Sequence, residues 1–193
     1  MATQRPILLL GPGDSGRSLS AEEFEEAEFE PRWCYEREAG RLVVMPPDSP
    51  EHDSSSEPMR DYLGAYRLAH PDLVESVVSE CWIRVDAGTD RIGDIGVFLA
   101  DNRSGQARPE RNPELIFEVV SPGRASRERD YVKKRREYRQ LGVLEYVVID
   151  RTRRRVTVYA KAEDRYRKTV LQPGARYGSR LLPGLEVPVD VLI

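Results

Sequence analysis

The run Leu115-Ile116-Phe117-Glu118-Val119-Val120 constrains the fold more than any other part of the chain. A continuous apolar stretch of this length reads as a central strand covered on both faces, which requires helices packed against a sheet. Alternation along the strand puts Ile116, Glu118 and Val120 on one face. An ionised carboxylate buried there without a partner costs ~3 to 5 kcal/mol. Glu118 therefore demands a cation, a metal ion or strong hydrogen-bond donors.

Asp94 raises the same question in Ile92-Gly93-Asp94-Ile95-Gly96-Val97-Phe98. The apolar flanks predict a strand, and the glycines suggest that other groups approach it closely. Taken singly, each acid is satisfied by a solvated strand end or by one of the many arginines. Two acids on neighbouring predicted strands, followed by a cationic helix, point instead to an oxygen-ligand site for a divalent ion. Hard cations such as Mg²⁺ take a few carboxylates and keep waters for substrate and nucleophile.

The cationic helix is expected from about Ala125 to Leu141. Asp130, Lys134 and Tyr138 fall at i, i+4 and i+8, on the side that also carries Tyr131 and Leu141, so this side should face the sheet. Lys133, Arg135, Arg136 and Arg139 project mainly elsewhere, toward solvent or phosphate. Lys134 has two candidate partners. One is Asp130, a turn back; the other is the Asp94 and Glu118 pair, where a lysine would stabilise charge on a phosphate in a hydrolytic transition state. The spacing leaves both open.

Elsewhere, Ser20-Ala21-Glu22-Glu23 has capping-box spacing and predicts a short helix to about Glu30. Arg41 to Met45 reads as a strand, the Ser- and Pro-rich stretch to Pro58 as a loop, and Met59 to Ala69 as a helix. Strands are expected at Val74 to Val85, Ile92 to Ala100 and Glu114 to Val120, then at Leu144 to Ile149, Arg155 to Tyr159 and Tyr166 to Leu171. The basic helix is long enough to serve as a crossover, so the strands on either side of it could pair in parallel. One α/β domain with a mixed sheet, residues 20 to 193, is expected after an irregular N-terminal arm at residues 1 to 19.

A net charge of −3 over 193 residues argues by itself against a strongly basic nucleic-acid binder. The distribution says otherwise. Residues 124 to 168 hold 16 basic and 7 acidic side chains, which leaves 14 basic against 26 acidic in the remainder. Cys34 and Cys81 form no disulfide framework and no metal-finger spacing, which favours reduced thiols and a cytoplasmic location. The apolar run Ile7 to Leu10 is too short for an export signal or a membrane helix, so no membrane association is expected. Gly11-Pro12-Gly13-Asp14-Ser15-Gly16 satisfies G-x-G-x-x-G, but no helix starts at its third glycine and Asp14 would sit where an anion must bind.

Several spaced elements together resemble the Uma-two family of restriction-endonuclease-like proteins. They are Tyr35-Glu36, Gly40-Arg41-Leu42-Val43-Val44-Met45-Pro46-Pro47, Pro50-Glu51-His52, Asp94, Phe117-Glu118-Val119-Val120-Ser121-Pro122, Arg129-Asp130, Lys134, Tyr138, Gly142-Val143 and Glu145-Tyr146. The family is placed in the PD-(D/E)XK nuclease superfamily, which implies a restriction-endonuclease-like mixed β-sheet flanked by helices and a metal site of Asp, Glu and Lys. By this resemblance Asp94 is the PD-type aspartate, Glu118 the acid of the E-x-K element, and Lys134 replaces the lysine that Val120 cannot supply. Gly93 stands at the superfamily's proline and Arg41 where many members have an acid. Glu36 and His52 match the family's glutamate and histidine and join the candidate catalytic residues. His52 could be a general acid, a phosphate contact or a neighbour of the metal site, and Tyr138 a packing residue whose hydroxyl orients Lys134.

The implied activity is phosphodiester hydrolysis of DNA by an endonuclease, with Mg²⁺ or Mn²⁺ held by Asp94, Glu118 and the backbone carbonyl of Val119. Superfamily members often dimerise to cut both strands, so a homodimer is compatible with this reading. The alternative is a catalytically silent module of the same fold that only binds nucleic acid, consistent with the missing E-x-K lysine.

Overall fold

A computed structural model describes residues 7–47, 50–100 and 111–193. In chain order the elements are β1 (Leu9–Leu10), a 3-10 turn (Pro12–Asp14), α1 (Ala21–Glu25), β2 (Glu28–Phe29), β3 (Cys34–Glu38), β4 (Arg41–Met45), α2 (Pro50–Ala69), β5 (Val74–Asp86), β6 (Thr89–Leu99) and β7 (Leu115–Val119). A helical run follows as α3 (Arg124–Glu128), a π-helical segment (Arg129–Lys134) and α4 (Arg135–Leu141). The remainder is β8 (Glu145–Asp150), β9 (Arg155–Ala162), β10 (Arg165–Leu171), β11 (Arg176–Ser179), β12 (Leu182–Pro188) and a closing 3-10 turn (Val189–Val191). Residues 1–49 with 82–92 form one compact unit, and residues 50–81 with 93–193 form a second.

In the larger unit β7 lies between β6 and β8. Ile95 is opposite Phe117 in the antiparallel β6/β7 pair, and Phe117 is opposite Val147 in the parallel β7/β8 pair. The helical run is the crossover that the parallel pair requires. β8, β9 and β10 continue as an antiparallel meander. The odd-numbered residues Leu115, Phe117 and Val119 join Ile95, Val97 and Val147 in a core that includes Met59 and Leu63 of α2 and Leu182, Leu185 and Val187 of β12. The even-numbered residues of β7 take the opposite face, where Tyr138 of α4 meets Tyr146 of β8 edge to face at 5.1 Å. Gly142 ends the helix in the left-handed region at φ 84°. There Val143 N–H returns to the Tyr138 carbonyl at 3.0 Å, a glycine C-cap that satisfies a carbonyl of the last turn.

Gly96 of β6 permits the expected close approach. A Cβ at Gly96 would lie 2.5 Å from Cys81 Sγ and 3.2 Å from Pro113 Cγ. Gly96→Ala is therefore expected to lower stability by ~1 to 3 kcal/mol through overpacking. A urea midpoint unchanged from the parent would refute this close approach.

α2 corrects the reading of residues 50 to 58 as a loop. The helix begins at Pro50 and carries Pro58 inside it. Ser55 and Ser56 are buried, and Arg151 donates to Ser55 Oγ at 2.6 Å. Tertiary partners thus override a composition that locally favours turns. Beyond Leu171, where the last expected strand ends, the chain adds the β11/β12 hairpin.

The smaller unit centres on the β3/β4 hairpin, in register from Cys34 opposite Met45 to Glu38 opposite Arg41. The predicted capping box forms, Ser20 N–H donating to Glu23 Oε2 at 2.7 Å and Glu23 N–H to Ser20 Oγ at 3.0 Å. α1 ends at Glu25 rather than near Glu30, because Glu28–Phe29 pair with Leu9–Leu10 and Phe29 packs on Phe24 and Tyr35. The glycine-rich run forms no phosphate cradle. Asp14 itself accepts from Gly11 N–H at 3.0 Å and from Arg17 at 3.1 Å.

Candidate active site

β7 carries Glu118 into the interior beneath the helical run. Lys134 Nζ donates to Glu118 Oε1 at 2.9 Å and to Oε2 at 3.0 Å, and Tyr138 Oη donates to Oε1 at 3.1 Å. Glu118 and Lys134 are each only 2% exposed, so solvent does not screen this pair. Of the two partners open to Lys134, the structure shows Glu118. The Tyr138 hydroxyl bonds Glu118 directly, so it fixes the carboxylate that Lys134 meets.

Asp94 joins them through the backbone. The β6/β7 register puts Gly96 opposite Ile116 and Ile95 opposite Phe117, and Asp94 is the next residue of β6. Asp94 Oδ2 accepts from Val119 N–H at 2.6 Å. Asp130 is a residue whose place here the helical spacing did not assign to the acid pair. It is buried, Oδ1 accepts from Arg129 at 3.0 Å, and Oδ2 has no hydrogen-bond partner among the described residues. Burial pushes the Glu118 carboxyl well above the usual carboxylate range. Lys134 pulls it back, and the charges of Asp94 and Asp130 push it further up.

The π-helical segment spans Asp130 and Lys134, and both are buried. Tyr146 Oη donates to the Asp130 carbonyl at 3.0 Å, anchoring this segment to the sheet. Such segments widen a helix locally and recur at functional sites. The sequence carries no signal for it beyond an unusually polar inward face.

Glu36 sits in the smaller unit, 1% exposed, with Oε1 accepting from Ile92 N–H and Oε2 from Arg91 Nη1, both at 3.1 Å. His52 falls in the first turn of α2, and its side chain lies outside the described residues. Val120, just past the end of β7, is 5% exposed and its N–H donates to the Ile149 carbonyl at 2.9 Å. Among the described residues no three His, Cys, Asp or Glu side chains converge as a metal cluster. The donor set that the resemblance implies for a divalent ion is two carboxylates, Asp94 and Glu118, with the Val119 carbonyl. It suits a hard cation in kind. The carboxylates of Asp94, Glu118 and Asp130 against Lys134 and Arg129, with the orphaned Asp130 Oδ2, also suit a site that gains from added positive charge.

The fold is thus a mixed sheet with a parallel central pair, crossed by a helix that brings a lysine to a buried strand carboxylate. A solved structure described as a putative nuclease belonging to DUF820, from Anabaena variabilis, is similar with a TM-score of 0.72 and 15% sequence identity, covering 90% of this chain and 97% of that one. The chain belongs to the Uma2 family, described as "Putative restriction endonuclease", which it matches over residues 21–190. No curated protein matches it. Among the described residues no helix is long and apolar enough to cross a membrane.

Proposed function

We propose that the protein is a divalent-metal-dependent endonuclease that hydrolyses phosphodiester bonds of DNA. The observation that carries this reading is Lys134 Nζ on both oxygens of Glu118, with Asp94 tied to the next residue of the same strand. It supplies from the helix the cation that Val120 withholds from the E-x-K position. Asp94, Glu118 and the Val119 carbonyl would hold Mg²⁺ or Mn²⁺, which supplies charge neutralisation and a more acidic water. Lys134 is placed to stabilise negative charge as the water oxygen bonds to phosphorus and the ester oxygen leaves. Tyr138 holds Glu118 in one rotamer. The Tyr146 hydrogen bond keeps the π-helical segment, and with it Lys134, over the strand.

The second reading, a silent nucleic-acid-binding module, is favoured by one feature: Lys134 engages both Glu118 oxygens, as in a closed structural ion pair. A carboxylate has further lone-pair sites, so the same oxygens remain able to accept an ion. Supercoiled plasmid incubated with the purified protein separates the two. Relaxation to the nicked form is expected with Mg²⁺ or Mn²⁺ and not with EDTA. Retardation of the plasmid without nicking under any of these conditions would select the binding module.

A further inference from the structure

Beside the helical run, a groove of about 470 Å³ is shared with β9 and β10, and neither Glu118 nor Lys134 lines it. Six cations line it: Arg124, Arg127, Arg135, Arg153, Arg155 and Lys168. Among the described residues Glu128 is the one acid on its surface, and Asp150, fully buried below, ion-pairs with Arg127 at 3.6 Å and Arg153 at 3.9 Å. The cations outnumber the carboxylates three to one even with Asp150 included. Small-molecule pockets are mostly apolar, so this lining suits a polyanion better than a compact metabolite.

Two of the arginines are held in place by rings. Arg135 lies over Tyr159 and Arg155 over Tyr131, each at 5.5 Å. Stacking restrains a guanidinium while leaving its edge donors for an anion, which lowers the entropy cost of binding phosphate. The Nε of Arg155 is buried and makes no hydrogen bond among the described residues, whereas that of Arg127 is the atom that faces Asp150 Oδ2 at 3.6 Å. Both rings spend a face on a guanidinium, and Tyr159 also stacks with Tyr146 at 6.0 Å. That disfavours single strands, whose bases need open aromatic faces.

We infer that this groove binds the sugar-phosphate backbone of duplex DNA, as a binding surface separate from the Glu118 and Lys134 site. The ligand class rests on the nuclease reading; the groove does not need cleavage to act. Its cations meet phosphate, so they hold and orient a duplex without reading its sequence.

Arg124, Arg153 and Lys168 are exposed, and their replacement leaves the core intact. In EDTA, binding of a fluorescent duplex to the full-length protein is followed by anisotropy across a salt series. The triple variant Arg124→Gln/Arg153→Gln/Lys168→Gln is expected to bind at least tenfold more weakly, with a salt slope shallower by ~2 to 3, about 0.9 for each phosphate no longer neutralised. A matched triple of exposed cations elsewhere, Arg32→Gln/Arg67→Gln/Arg180→Gln, should leave affinity within about twofold of the parent. Equal losses in both triples, unchanged binding in the first, or preference for the single strand would each overturn the groove. Weakened binding in a protein that nicks no plasmid would sustain the groove and defeat the nuclease reading; unchanged binding in one that nicks would do the reverse.

Discussion

Glu118→Gln and Lys134→Met are each expected to lower metal-dependent nicking of plasmid DNA by ~10² to 10³-fold, the usual loss when one preorganised charge at a transition state is removed. Glu118→Gln keeps the shape of the side chain and removes its charge, so it tests the carboxylate rather than the packing. Lys134→Met keeps the length of the stem and removes the ammonium. The double variant should be no slower than about the worse single, because residues that act as one unit do not lose rate additively. Initial nicking rates of the four proteins, at saturating Mg²⁺ and again with Mn²⁺, provide the cycle. Wild-type rates in either single variant would remove the pair from catalysis. A double variant slower by the product of the two single losses would mean that they act independently, which the hydrogen bonds from Lys134 to both Glu118 oxygens argue against.

The centre of this site was legible because burial and charge conflict there. Glu118 inside an apolar strand needs a cation, and few cations in the chain lie on an apolar helix side; Lys134 does. Period-2 alternation in β7 and the strand boundaries Arg41–Met45 were readable for the same reason, since one face or both must be covered. The helix beginning at Pro50 was not legible. Its serines and Pro58 favour a loop locally, and the hydrogen bond from Arg151 to Ser55 spans 96 residues of sequence. The π-helical segment was hidden as well, because its register shift depends on what the helix meets, including the Tyr146 hydroxyl on the Asp130 carbonyl. Arg37 shows the limit most plainly. It is 1% exposed, and its guanidinium is satisfied by Asp90 and the carbonyls of Leu19 and Ala87, of which Asp90 and Ala87 lie 53 and 50 residues away in sequence.

Lys134→Met is expected to destabilise the fold by ~3 to 5 kcal/mol, since it leaves Glu118 buried without its cation beside Asp94 and Asp130. Glu118→Gln should cost less, ~1 to 3 kcal/mol, because the amide still accepts from Tyr138 and Lys134. Combining them should recover much of the loss, so that the coupling in the cycle is ~2 kcal/mol or more; replacing both partners of a buried ion pair is often close to neutral. Urea unfolding in EDTA measures these differences, and simple addition of the two losses would contradict them. Repeating the series with Mg²⁺ then relates stability to chemistry. A ligand bound only by the folded state stabilises it, by ~2.7 kcal/mol at a hundred times its Kd. Removing the ammonium raises the negative surplus at the site and releases Glu118 Oε2, while Tyr138 still holds Oε1, so Mg²⁺ should stabilise Lys134→Met more than wild type. A smaller gain in the variant would mean that Lys134 assembles the ion site, whereas the larger gain expected here means that lysine and ion compete for Glu118.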